Sequence, residues 1–231
     1  MNRKSGKMIL LGIFIIIIHC VKIFPDEKPR FFIKGELLYN NYSPTLFPVE
    51  AKIILEDLTG TSITGALVKI NQLQLQEDSS SGIYQEFTII DLGETTHLHV
   101  QKEGIPALDF CVRYRPRPDS IGIIRPKNGD TLVSGMNINV SWEPNDKTDF
   151  YEIMAISKED TLWKGVTVNT HSVIPGEALP DSGEIYIVVD AIAGPTLENS
   201  EILPNIEGKW KGTFSVKVRG LHRIKISSKG R

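Results

Sequence analysis

The chain has 231 residues, 41% of them hydrophobic, and a formal net charge of −2, enough for about two domains with real cores. Without its first 19 residues, which hold Arg3, Lys4 and Lys7 and no acid, 212 residues remain with a formal charge of −5. An acidic body argues against nucleic acid as the main partner.

Arg3, Lys4 and Lys7 precede an apolar run from Met8 to Val21. A basic head followed by a short apolar core is an export signal, and the run falls short of the ~20 residues that span a bilayer. Ile17-Ile18-His19-Cys20 resembles the bacterial lipoprotein signal, in which an aliphatic residue stands three positions before a lipidated Cys. His19 occupies the place that family gives to Gly, Ala or Ser. Lipidation of Cys20, ordinary cleavage and an uncleaved anchor therefore all stay open for residues 1–21. Each places the remainder in the cell envelope or outside the cell, with any membrane contact made through this segment or a lipid. Residues 22–30 read as a polar linker.

Beyond the linker the apolar residues repeat with period two, and helix-period stretches of useful length are missing. The expected fold class is all-β: two tandem antiparallel, Ig-like β-sandwich domains after the N-terminal segment. The first spans residues 31–115, with strands expected over Ala51–Leu55, Ala66–Asn71, Tyr84–Ile90, His97–Gln101 and Phe110–Tyr114. Ser79-Ser80-Ser81-Gly82 and Asp91-Leu92-Gly93-Glu94 supply turns between them. Gly82-Ile83-Tyr84, Leu92-Gly93-Glu94, Leu98-x-Val100 and Gly104 resemble the prealbumin-like accessory domain of carboxypeptidases. That resemblance implies a sandwich and no peptidase activity. Pro116-Arg117-Pro118 forms a short stiff joint.

The second domain spans residues 119–218. Ile138, Val140 and Trp142 share one face of a strand, and Asn139, Ser141 and Glu143 take the other. Val140-Ser141-Trp142-Glu143-Pro144, Phe150-Tyr151-Glu152-Ile153 and Ile187-x-Val189-x-Ala191 resemble strands of a fibronectin type III domain. Tyr186 is one residue from that family's corner tyrosine, so it should face the opposite side. Phe214–Arg219 makes a last amphipathic strand. Residues 219–231, with Arg223, Lys225, Lys229 and Arg231, read as a solvated basic tail.

His97 and His99 lie two apart on a strand and share a face, half of a possible metal site; solvated histidines are the default, and no metal or cofactor is expected. Asn145, Asp146 and Asp149 read as a hydrogen-bonded turn because the ligand spacing of a calcium loop is missing. Cys111 sits in an apolar run and reads as a buried thiol. No H-E-x-x-H pattern, phosphate-cradling loop or nucleophile elbow occurs; in Gly60-Thr61-Ser62-Ile63-Thr64-Gly65 the second Gly comes one residue late for an elbow. The expectation is a non-enzymatic binding or scaffold protein with an envelope or extracellular protein partner. The alternative is a carbohydrate-binding accessory protein, with Trp163, Trp210 or Tyr151 stacking on a glycan.

Overall fold

A computed structural model describes residues 28–40, 49–88, 95–113, 121–145, 148–158 and 160–228. The N-terminal segment with Cys20, the Pro116–Pro118 joint and Asp146 lie outside these residues. Among the described residues eighteen strands follow one another, and the one helical element is a 3-10 turn at Gly176–Ala178.

The first sandwich contributes β1 (Phe31–Asn40), β2 (Val49–Asp57), β3 (Leu67–Ile70), β4 (Leu73–Gln74), β5 (Gln76–Asp78), β6 (Ile83–Thr88), β7 (Thr95–Lys102) and β8 (Ile105–Arg113). The second contributes β9 (Ile123–Arg125), β10 (Thr131–Val133), β11 (Ile138–Trp142), β12 (Phe150–Ser157), β13 (Asp160–Thr167), β14 (His171–Ile174) and β15 (Gly183–Ala193). A small hairpin, β16 (Thr196–Glu198) and β17 (Glu201–Leu203), precedes the 18-residue β18 (Trp210–Ser227).

Strand order is β13-β12-β15-β18-β1-β2-β6-β5 in one nine-stranded sheet that also takes β10 at β18. The smaller sheets are β14-β11-β9 and β4-β3-β7-β8. The second sandwich thus packs three strands, β9, β11 and β14, against β12, β13, β15 and the second half of β18, an Ig-type arrangement. The two sandwiches are tandem in sequence but share the large sheet.

β18 makes that sharing possible. Its first half runs parallel to β1, from Phe31 opposite Trp210 to Asn40 opposite Arg219. Its second half runs antiparallel to β15, as far as Gly183 opposite Ile226. Because side chains alternate along a strand, one face of β18 serves both cores. Phe214, Val216 and Val218 enter the first core, beside Leu37, Ile53 and Val100. Ile224 and Ile226 enter the second, beside Trp142, Ile153 and Ile187. Each fully buried aliphatic or aromatic side chain contributes about 1.5–3 kcal/mol.

Two expectations need correction. The region from residue 219 is no tail through Ser227, since Ile224 and Ile226 are buried in the second core. Within this strand Gly220 is a close approach: a Cβ there would lie 2.7 Å from the Ile121 carbonyl oxygen. Cys111 is exposed. On β8 it is Leu108 and Val112 that point into the core, so Cys111 falls on the outward face, opposite His97.

Candidate functional site

The outer face of the large sheet carries charges where a strand buried on both sides would carry apolar residues. Glu152 of β12, Asp190 of β15 and Arg219 of β18 stand directly opposite one another, so their side chains share this face. Arg219 donates two hydrogen bonds to Asp190, Nε to Oδ1 at 2.8 Å and Nη2 to Oδ2 at 2.7 Å. The Asp190 side chain is 0% exposed. Burial pushes its carboxyl upward more strongly than the Arg219 bonds and charge pull it down.

Beside this pair runs a chain of ion pairs. Lys164 Nζ lies 2.7 Å from Glu152 Oε1, and Lys217 Nζ lies 3.9 Å from Glu152 Oε2 and 3.0 Å from Glu36 Oε2. Glu36 belongs to β1, so the chain crosses from the second sandwich into the first. Burial works against the Lys217 ammonium, yet Glu36 and Glu152 together outweigh it and raise its pKa.

These residues floor a cleft of about 350 Å³ where the sandwiches meet. Lys34 and Lys52 stand on its first-sandwich side, while Pro195 and Ile202, at the β16–β17 hairpin, wall it on the other. Its volume lies within the range typical of ligand pockets, which favour domain junctions.

A second surface is a groove of about 550 Å³ on the second sandwich, lined by Arg125, Leu132, Val133 and Met136 among others. Val133 and Met136 are exposed, as are Ile124 on β9 and Val173 on β14. Val173 pairs with Asn139 of the groove wall. Four large apolar side chains of this sandwich are thus exposed, two of them, Val133 and Met136, in the groove itself.

The residues singled out from sequence are scattered. His97 and His99 do point outward together, and His99 Nδ1 lies 2.5 Å from Asp109 Oδ1. Among the described residues no three His, Cys, Asp or Glu side chains are grouped to hold a metal ion. Thr148 N donates to the Asn145 carbonyl at 3.2 Å, closing a turn, and Asp149 Oδ2 accepts from Gly194 N at 2.8 Å. Trp210 is 3% exposed and its Nε1 donates to the Pro106 carbonyl, so it is a core residue and no stacking platform. Tyr151 is likewise buried, with its ring 5.2 Å from that of Trp142. Trp163 is half-buried against the second core. Ile185 is buried and Tyr186 lies on the opposite face, as the one-residue offset requires.

Sequence reasoning missed Glu152, Asp190 and Lys217. A signal existed: Asp190 is the one charge inside the apolar stretch Ile185–Ala193, and Glu152 the one charge in Phe150–Ile156. A lone charge within a strand buried on both faces needs a partner on the neighbouring strand. As to chemistry, the histidine ring bonds run from His99 to Asp109 and from His222 Nδ1 to the Pro126 carbonyl at 2.8 Å.

No family model matches the chain, and no curated protein matches it. Among solved structures it is similar to the FN1–FN3 domains of chicken CNTN1, at 10% identity and TM-score 0.29, over 87% of this chain and 66% of that one. It is similar to the fibronectin(III)-like modules of Clostridium thermocellum CbhA, at 8% identity and TM-score 0.28, over 85% and 94% of the two chains. The tandem Ig repeats of Dlar match at 9% identity and TM-score 0.30, over 83% of this chain and all of that one. The assignment as a tandem, all-β, Ig-like sandwich protein rests on the strand order and the two cores and not on these likenesses.

Proposed function

We propose that this chain is an exported, envelope-associated protein without catalytic activity that binds another protein and serves as a scaffold or assembly module. The observation that carries this reading is the exposure of Val133 and Met136 in the groove, with exposed Val173 beside its Asn139 wall. Apolar side chains left in solvent within a groove mark a contact site, and aromatic or aliphatic anchors of a partner fill such grooves. The basic head and apolar run at the N-terminus support export. The glycan reading named Trp163, Trp210 and Tyr151, and two of these three are buried.

The test is site-specific photo-crosslinking in cells of the native host, with the crosslinker at Met136 or Val173 and, as control, at Leu58. Leu58 is exposed on the first sandwich. One dominant protein captured from Met136 and Val173 but not from Leu58 is the expected result. No captured protein at Met136 or Val173, or the same set from all three positions, would overturn the proposal.

A further inference from the structure

The junction cleft holds more positive than negative charge. Lys34, Lys52, Lys164 and Lys217 line it against Glu36 and Glu152, a formal excess of two positive charges, on a chain whose body is acidic. The two carboxylates are already engaged, Glu36 with Lys217 and Glu152 with Lys164 and Lys217. Lys52 stands opposite Glu36 in the ladder, yet the Glu36 carboxylate turns to Lys217 instead. Lys34 lies two residues along β1 on the same face, opposite Thr213, and Ser215 of β18 is opposite Glu36. Two ammonium groups and two hydroxyls therefore border the cleft beside a carboxylate pair that does not neutralise them. A cleft with an excess of one sign focuses its field on a ligand of the opposite sign.

We infer that the junction cleft binds a small dianion, a dicarboxylate or a phosphate, between Lys34 and Lys52 of the first sandwich and the Ser215 and Lys217 positions of β18. Two negative charges cancel the excess, and charge-assisted hydrogen bonds from ammonium and hydroxyl donors supply the contacts. The Lys164–Glu152–Lys217–Glu36 chain is the floor: it fixes Lys217 and keeps Glu36 from folding back onto Lys52. Because β12, β13, β18, β1 and β2 all reach this place, occupancy would tie the two sandwiches together. The site is separate from the apolar groove, so either can fail without the other.

Isothermal titration of the full chain in mild detergent at low ionic strength tests this, with succinate and inorganic phosphate as probes and glucose as the neutral control. Binding of at least one dianion, without binding of glucose, is expected. The double variant Lys34→Met with Lys52→Met should weaken it about tenfold or more, while Lys225→Met, an exposed lysine at the far end of β18, should leave it unchanged. Succinate alone or phosphate alone would support the site and name the oxyanion it takes. No binding of either, or equal binding by the double variant, would overturn it. Amine acylation followed by mass spectrometry gives a reading on the unaltered chain. The dianion should slow modification of Lys34 and Lys52 relative to Lys225, and unchanged relative rates would count against the site.

Discussion

The second sandwich builds its core from residues between Ile121 and Ile226, whereas the first takes Trp210, Phe214, Val216 and Val218 from the distant C-terminal strand. The second core is interrupted only between Ala191 and Ile224, where the chain supplies the first core, and the first is closed by a strand reached after most of the second has been threaded. A stretch such as residues 28–113 is therefore a domain by composition but not a complete folding unit. Without the first half of β18, the edge of β1 loses ten registered partners, and Leu37 and Ile53 lose the apolar wall that Phe214 provides. Long-range pairing of this kind also costs loop-closure entropy before its contacts form.

The sharpest way to break the comparison is Phe214→Ala. Phe214 is fully buried in the first core, and removing such a ring costs about 3–5 kcal/mol. Hydrogen exchange should accelerate over β1, β2 and the first half of β18, with much less change in β11 and β14. Uniform acceleration across both sandwiches would show that they unfold as one body. Next comes Asp190→Ala, which leaves the Arg219 guanidinium without its buried partner. Breaking a buried pair from one side costs about 3 kcal/mol or more, and chemical denaturation should show it. A loss well under 1 kcal/mol would mean that the pair behaves as though solvated.

The smallest effect is acid sensitivity confined to the first sandwich. Asp57 accepts from the Thr59 hydroxyl and from the N–H groups of Thr61 and Thr59, and Asp78 from the hydroxyl and N–H of Ser80 and the Ser81 hydroxyl. These bonds hold both carboxyls below their ordinary 3.8. A carboxyl lowered in the folded state stabilises fully above its unfolded pKa and loses that contribution as pH falls through the folded value. Asp190 has the opposite sign, because burial raises it. As pH falls below about 4, exchange in the β2–β3 and β5–β6 turns should therefore quicken relative to its intrinsic rate. The double variant Asp57→Asn with Asp78→Asn should flatten that dependence, and an unaltered pH profile in this variant would refute the assignment.

Strands with clean alternation were legible from sequence. Ile138, Val140 and Trp142 are all buried on β11, and Leu98 and Val100 turn inward while His97 faces out. Period two suffices where one face is wet. What local pattern could not convey was pairing between the two ends of the chain. β1 was not among the expected strands, and its partner in β18 lies some 180 residues away. Cys111 misled because an apolar run does not say which phase faces inward; register with β7 decides it. The junction cleft was invisible for a related reason: Lys34, Lys52, Lys164 and Lys217 are adjacent only across strands drawn from both sandwiches.

The parallel pairing of β1 with β18 has a mechanical consequence. In an antiparallel hairpin, tension on the two free ends peels hydrogen bonds apart singly. Parallel strands place the start of one beside the start of the other, so a load applied between Phe31 and Ser227 pulls β1 and β18 lengthwise in opposite directions. All ten pairs from Phe31–Trp210 to Asn40–Arg219 then bear it in shear at once. Under tension along that line, the shared strand acts as a clasp between the sandwiches, and the first sandwich is the part it keeps closed.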